Sequence, residues 1–393
     1  MKARIKEKNS SKVELSIVMP CLNEAETLGN CIKKALAFIE RENIEGEILI
    51  SDNGSTDCSQ EIAVKYNARL VHANKKGYGA SLEEGINDAK GTYVIMGDSD
   101  ESYDFSNLMP FVNELRKGCD LVIGNRFKGG IAKGAMPFSH KYIGNPVLSF
   151  IGRLFFHIKI ADFHCGLRGL TKKAFKEMNL RTTGMEFASE MVVKAALLKM
   201  KIVEVPTTLS VDGRSRPPHL RTWHDGWRHL RFLLMFSPKW LFLYPGLFII
   251  VISLLISSLL FINPIKVNGV VLDIHTLIVT SFALLIGVQF VFFHSFVKIY
   301  SITSGIIPSD KKFENIFNYF TLERGLLVGI LIFLIGAIVM LNNFLSWSSA
   351  GFSDLVPSYF VRRILSGIVP SVLGIQIIIF SFIFSIIGIR EEK

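Results

Sequence analysis

Two aspartates, Asp98 and Asp100, follow the apolar run Thr92-Tyr93-Val94-Ile95-Met96-Gly97. Carboxylates two apart on an extended segment converge on one hard divalent cation, and that cation can hold a diphosphate. A solvated acidic turn has the same pattern, so the company it keeps decides. Three other polar loops in the first third of the chain also follow strand-like runs. Pro20-Cys21-Leu22-Asn23-Glu24 ends a strand and starts a helix, and Glu24 offers an acceptor to a base or ribose donor. In Ser51-Asp52-Asn53-Gly54-Ser55-Thr56-Asp57 the Asn-Gly pair marks a turn, and Ser55, Thr56 or Asp57 can cap the next helix. Asp52 is needed for neither task and can accept from a nucleobase N–H or a ribose hydroxyl. In His72-Ala73-Asn74-Lys75-Lys76-Gly77-Tyr78-Gly79-Ala80, the two glycines allow close backbone approach and Lys76 can face a phosphate.

The elements that must position these loops alternate. Strand-like runs cover 15–19, 47–51, 69–72, 93–96 and 120–123, with helix-like stretches at 24–39, 57–66 and 79–89. Such alternation predicts an α/β sandwich on a largely parallel sheet, whose ligands bind beyond the carboxyl ends of the strands. Residues 130–170 are Gly-rich and read as less regular. Residues 184–200 read as a helix with Phe187, Met191 and Ala195 on one face, and 201–209 as a final strand.

Composition adds a second part. Of 393 residues, 49% are hydrophobic, and mean hydropathy is +0.36. The excess lies after Trp240, in apolar runs at 240–262, 274–297, 325–345 and 364–389. Each is long enough to cross a hydrocarbon core of ~30 Å. About four membrane helices are expected, giving a charged tail (1–12), a soluble domain (13–210), a basic juxtamembrane element (211–239) and a membrane domain (240–389). The charged start of the chain lacks the apolar stretch of a signal peptide. The loop between the second and third runs carries Lys298, Lys311, Lys312 and Arg324, whereas the first loop holds only Lys266. This asymmetry predicts a multi-pass protein with the soluble domain and both termini in the cytosol. Five cysteines without paired spacing fit reduced thiols. The net charge of +10 suits an anionic membrane face, and no nucleic-acid motif accompanies it. Arg214, Arg216, Arg221, Arg228, Arg231 and Lys239 crowd the juxtamembrane element. Trp223, Trp227, Leu230 and Leu234 recur there at helical spacing. A basic helix with an aromatic face lies well in a membrane interface, and arginines suit a lipid phosphate.

As a set, P-x-x-N-E, D-N-G-S-T-D, K-G-x-G and D-S-D resemble family 2 glycosyltransferases of the GT-A fold. So do Gly124-Asn125-Arg126-Phe127, Asp162-Phe163-His164-Cys165-Gly166, the helix bearing Glu190, and Glu204-Val205-Pro206. The resemblance covers 13 to about 236, and the membrane tail is similar to that of polyprenyl-phosphate sugar transferases. It implies that Pro20, Asn23, Glu24, Asp52, Lys76 and Gly77 line the nucleotide site. Asp98 and Asp100 would hold Mg²⁺ or Mn²⁺ and the diphosphate, while Arg126, Arg214 and Arg216 would meet phosphates. Two departures stand out. Mannose synthases commonly follow D-x-D with x-Q-H, whereas this chain reads Glu101-Ser102-Tyr103-Asp104, leaving Ser102, Asp104 or water as the third ligand. The stretch Ser215-Arg216-Pro217-Pro218-His219-Leu220-Arg221 is also longer than its counterpart. The Q-x-x-R-W motif of processive synthases is absent, since the glutamines are Gln60, Gln289 and Gln376.

The expected activity is inverting, metal-dependent transfer of one sugar from a nucleotide sugar to polyprenyl phosphate at the cytosolic face. A lipid phosphate is already anionic, so arginines that position it suffice. A hydroxyl acceptor, as in another lipid, would need a carboxylate base, for which Glu190 and Asp162 are the candidates. A third reading is a non-catalytic subunit that binds nucleotide sugar or lipid phosphate. Gly287, Gly329 and Gly336 permit close helix packing, and a homo-oligomer is compatible with this.

Overall fold

The computed structural model describes residues 13–215, 222–308, 321–352 and 356–388. The chain divides into two compact units, the first ending at Phe236 and the second beginning at Ser237.

The first unit is built on β1 (Leu15–Cys21), β2 (Gly46–Asp52), β3 (Arg69–His72), β4 (Tyr93–Met96), β5 (Leu121–Asn125), β6 (Arg168–Thr171) and β7 (Ile202–Pro206). They form one sheet in the order β3-β2-β1-β4-β6-β5-β7. β3, β2, β1 and β4 run parallel, as expected, and β5 pairs parallel with β7. β6 was not anticipated; it pairs antiparallel with both β4 and β5. Its four residues, Arg-Gly-Leu-Thr, have too little alternation to read as a strand, and only its neighbours define it.

Helices α1 (Leu28–Arg41), α2 (Ser59–Lys65), α3 (Tyr78–Asp88), α4 (Met109–Arg116), α5 (Arg126–Gly129), α6 (Asn145–Phe156), α7 (Lys172–Met178), α8 (Phe187–Leu197) and α9 (Thr222–Met235) complete the unit. α1 buries Leu28, Cys31, Ile32, Ala35 and Phe38, a stripe at helical spacing, in the same core as Leu15, Ile17, Val18 and Met19 of β1. In α8 the anticipated face of Phe187, Met191 and Ala195 is fully buried.

The expectation of irregular structure over 130–170 is corrected. A π-helical turn, His140–Gly144, leads into α6. Phe138, Tyr142, Ile143, Val147, Phe150 and Leu154 are exposed here. On the opposite side Ser149 and Gly152 are buried against Phe163. Residues 211–239 do not stand apart as one element either. α9 packs against α6 and α8 and belongs to the first unit, burying Phe232 and Leu233 while Trp223 and Trp227 point outward.

Among its described residues the second unit holds four helices long and apolar enough to cross a membrane: Lys239–Ile262, Ile274–Thr303, Leu322–Ser349 and Tyr359–Ile387. The last three are longer than the apolar runs alone suggested, because polar end residues continue the helices. Glycines bring helices into backbone contact in pairs: Gly246 with Gly287, Gly329 with Gly374, Gly336 with Gly367. Between the first two helices, Ile265–Val267 and Val270–Leu272 form a hairpin across Asn268-Gly269, both at positive φ. Arg362 pairs with Asp273 there and donates to the carbonyl of Leu260.

Gly77 takes φ +132°, and a Cβ there would lie 2.2 Å from the carbonyl oxygen of Thr183. At Gly118, φ is also positive (+81°) but nothing lies within 4 Å. Gly118→Ala should cost about 1 kcal/mol through backbone strain alone. Gly77→Ala should cost several times that, because a backbone segment must move. Thermal unfolding of both purified variants checks this; equal shifts would contradict the contact with Thr183.

Candidate active site

In the order β3-β2-β1-β4, the chain runs from β1 through β2 to β3 on one side and then crosses to β4 on the other. The junction of β1 with β4 is therefore the switch point of the sheet, where a crevice opens beyond the strand ends. The end of β1 carries Pro20 and the loop after it Asn23 and Glu24, and the loop after β4 carries Asp98 and Asp100. Ser99 Oγ donates to the Pro20 carbonyl (2.8 Å), and Thr27 Oγ1 donates to the Ser99 carbonyl (2.7 Å).

The loop after β2 is tied to the same frame. The Asn23 amide donates to Ser55 Oγ (2.9 Å), the Glu24 amide to Ser59 Oγ (2.8 Å), and the Thr56 amide to Asn23 Oδ1 (2.7 Å). Asn53, not singled out from sequence, bridges onward: its Nδ2 donates to the Lys75 carbonyl, and its Oδ1 accepts from the Gly77 amide, both at 2.8 Å. Asp52 is buried and accepts from the amides of Gly54 and Ser55 and from Gln60 Nε2 (2.8 Å). The expectation that the turn had no use for Asp52 is thereby corrected. Lys76 stands exposed. Gly77 and Gly79 are required by the backbone of 182–184, which packs on them, rather than by a ligand alone.

Asp98 Oδ1 accepts from the Tyr78 hydroxyl (2.9 Å), and Gly166 abuts Oδ2. Burial, followed by the charge of Asp100, pushes the Asp98 carboxyl up to about 7. Asp100 Oδ1 accepts from the Ser102 amide (3.0 Å) and hydroxyl (2.5 Å). Asp104 turns instead into its own loop and accepts from Ser106, so of the two side chains proposed as a third ligand only Ser102 touches the pair. Arg214 arrives from the segment after β7. Its guanidinium donates to Glu24 Oε1 (3.0 Å), Asp100 Oδ2 (3.1 Å) and Asp212. Burial pulls its pKa down, but Asp212, Asp100 and Glu24 outweigh this and hold it charged. Arg214 thus lies on the carboxylates assigned to donor and metal, not on a separate acceptor site. Arg216 lies outside the described residues.

Hard carboxylate oxygens two residues apart suit Mg²⁺ or Mn²⁺. Among the described residues no group of three His, Cys, Asp or Glu converges as a complete ligand set, so substrate oxygens or water would finish the shell.

Two expected roles are revised. Arg126, only 8% exposed, forms a two-pronged pair with the fully buried Asp162 (2.8 and 2.7 Å), and its amide donates to the same carboxylate. This fixes a neighbouring loop and leaves little of the guanidinium for a phosphate. Glu190, 1% exposed, pairs with Lys194 (2.8 Å) and accepts from the amides of Arg181 and Thr182 and the Thr182 hydroxyl. Burial alone would raise its pKa, yet those hydrogen bonds bring it below the usual range. Its partners form the turn whose Thr183 carbonyl accepts from the Ala80 amide (3.1 Å), so Glu190 positions the Gly77–Gly79 loop. Sequence reasoning also missed Tyr103, whose hydroxyl accepts from the Gly166 amide (2.8 Å), and Arg168. The latter is fully buried and donates to the carbonyls of Phe163, Cys165 and Ala188. No local signal marks them, because their partners are backbone groups that only the fold gathers around them.

The Asp98 carboxyl sits higher in the folded chain than the ~4 of an unfolded one. Its contribution to stability is complete below about 4 and lost as pH rises through about 7. In EDTA, the thermal midpoint should therefore fall between about pH 4 and 7 more steeply for the unmodified protein than for Asp98→Asn. Parallel pH profiles would contradict the assignment.

Comparison with known proteins follows the same lines. Residues 16–178 match the model for glycosyl transferase family 2, and residues 295–388 match the glycosyltransferase family 2 C-terminal transmembrane region. The low-salt glycan biosynthesis hexosyltransferase Agl6 of Haloferax volcanii is 34% identical over 376 residues, spanning 95% of this chain and 89% of that protein. A dolichyl-phosphate hexose transferase of the same organism is 27% identical over 196 residues, 49% of this chain and 81% of that protein. Glucosyl-3-phosphoglycerate synthase of Mycobacterium tuberculosis was solved with Mn²⁺, uridine diphosphate and glucosyl-3-phosphoglycerate. It overlaps 57% of this chain and 78% of that one at 18% identity and a TM-score of 0.44. With near-full-length similarity to Agl6 and the motif loops gathered at the sheet's switch point, the chain belongs to glycosyltransferase family 2, a GT-A-like enzyme domain joined to a multi-pass membrane region.

Proposed function

We propose that the enzyme transfers a single sugar, with inversion, from a nucleotide sugar of the GDP-mannose or UDP-glucose type to polyprenyl or dolichyl phosphate at the cytosolic membrane face. The observation that carries the acceptor class is the state of the two carboxylates available as a base. Asp162 is committed to Arg126, and Glu190 to Lys194 and the 181–182 turn. A hydroxyl acceptor needs a carboxylate free to take its proton, whereas a phosphate acceptor arrives already deprotonated. The name of the dolichyl-phosphate hexose transferase among the relatives supports the same class.

On the donor side, Pro20, Asn23, Glu24 and Asp52 shape the nucleotide crevice, and Lys76 stands at its exposed rim. Asp98 and Asp100 would hold Mg²⁺ or Mn²⁺. Bound there, the cation supplies charge neutralisation for the departing nucleoside diphosphate. Arg214 adds a guanidinium within reach of the same oxygens, and Tyr78 fixes the Asp98 carboxylate. Arg126 and Glu190 act as positioning residues.

The membrane side is supported by α6. From Phe127 to Ala161 the chain has no Asp or Glu but carries Lys128, Lys133, Lys141, Arg153 and Lys159. Its exposed stripe Ile143, Val147, Phe150 and Leu154 suits the acyl boundary, and the lysines suit anionic headgroups. α6 also contacts Phe163 of the Asp162–Gly166 loop, which connects that face to the catalytic crevice.

Purified protein with Mg²⁺ or Mn²⁺, polyprenyl phosphate and radiolabelled UDP-glucose, GDP-mannose or UDP-N-acetylglucosamine tests this. Label should enter a mild-acid-labile lipid from one donor. Asp100→Asn should fold yet lose at least ~100-fold in rate, and excess EDTA should abolish transfer. Sugar release without lipid labelling would overturn the acceptor; full activity in EDTA would overturn the metal.

A further inference from the structure

Arg214 sits where a cation is electrostatically demanded. Glu24, Asp98 and Asp100 bring three carboxyl groups to one crevice, and the guanidinium bridges two of them, Glu24 at 3.0 Å and Asp100 at 3.1 Å. The segment that delivers it is laid across the mouth of the crevice and held by polar contacts. The Ser210 amide donates to the Ser102 carbonyl (2.9 Å), and the Gly213 amide donates to the Asp100 carbonyl (3.0 Å). The Ser215 amide and hydroxyl donate to Glu26 (2.7 and 2.6 Å). Gly213 lies so close that a Cβ would be 2.6 Å from Glu101 Oε2. Its apolar contribution is small: Val211 is 54% exposed, and Ser210, Gly213 and Ser215 are exposed. A segment with polar anchors and little buried apolar surface opens at low cost.

We propose that Arg214 is a placeholder cation: it occupies Asp100 and Glu24 in the empty site and transfers to the donor's diphosphate when the metal–nucleotide complex enters. This rests on the donor reading above. The physical reason is charge balance. A guanidinium and a divalent ion compete for the Asp100 carboxylate, and the ion brings the larger charge. The same ion arrives with a diphosphate, whose oxygens offer the displaced guanidinium a two-pronged partner. The exchange costs little in conformation, because Arg214 remains on Asp212, its neighbour in the segment, throughout. Metal and nucleotide then favour each other's binding through one side chain that each frees for the other.

The consequence has opposite signs for the two ligands. In Arg214→Gln, Mn²⁺ binding to the full-length protein without nucleotide should tighten about tenfold, because the competitor is gone. Binding of UDP or GDP in saturating Mn²⁺ should weaken by tenfold or more, because the diphosphate has lost its partner. Arg214→Lys, which keeps a charge but lacks the planar two-pronged fork, should shift both in the same directions by less. Free Mn²⁺ measured by electron paramagnetic resonance gives the first quantity and calorimetry the second, with the thermal midpoint followed alongside. A merely structural Arg214 would weaken both affinities together with stability, and that result, or unchanged Mn²⁺ affinity in both variants, overturns the proposal. Should Arg214→Gln not fold, the Arg214→Lys pair of affinities decides alone. Unmodified protein that binds neither Mn²⁺ nor either nucleotide would overturn the donor reading itself, and the placeholder with it.

Discussion

Carboxylates gathered at the end of an apolar strand set the terms for everything around them. Val94, Ile95 and Met96 are fully buried, and two residues later the chain must present Asp98 and Asp100 at the switch point of the sheet. Desolvation and mutual repulsion make this arrangement costly, and they drive the Asp98 carboxyl toward neutrality. The structure answers with a hydroxyl on Asp98 from Tyr78, a turn on Asp100 from Ser102, and the guanidinium of Arg214. Each partner comes from a different loop. Holding the carboxylates therefore means holding the loops that carry these partners.

The same logic extends outward through buried ion pairs. Arg126 and Asp162 lock the loop that ends at Gly166 against Asp98, and Glu204 accepts from the amides of Ala161 and Asp162 at the base of that loop. Glu190 and Lys194 secure the turn that packs on Gly77 and Gly79. Breaking one partner of such a pair leaves an uncompensated buried charge, which is far more damaging than loss of a surface bridge. Residues that read as reactive carboxylates in the linear chain thus serve as braces in the folded one.

The membrane unit obeys a different constraint. Its helices pack through glycine pairs, because lipid tails provide no hydrophobic drive between apolar surfaces and close backbone approach must supply the contact. Near its start, the last of these helices carries Arg362, which pairs with Asp273 at the head of the second. In the first unit, the exposed stripe of α6 and the outward tryptophans of α9 show apolar surface where the soluble core has no use for it.

By itself the sequence determined the alternating α/β plan, five of the seven strands to within two residues at either end, the four membrane helices and the loops that meet at the crevice. Those features are local: strand periodicity, turn residues such as Asn53-Gly54, and apolar length are all written in consecutive positions. It also specified the family, because four spaced motifs together are improbable by accident. Tertiary structure alone decided what each polar side chain is for. Whether Asp52 faces a nucleotide or its own turn, whether Glu190 takes a proton or braces a loop, and whether Arg214 meets the lipid or the crevice carboxylates depend on partners up to 190 residues away. β6 was hidden for the same reason, because a four-residue strand carries no periodic signal until neighbours define its inside, while α6 turns an apolar stripe outward and buries Ser149 and Gly152. A carboxylate's chemistry is set by the charges and donors around it, and only folding decides which ones those are.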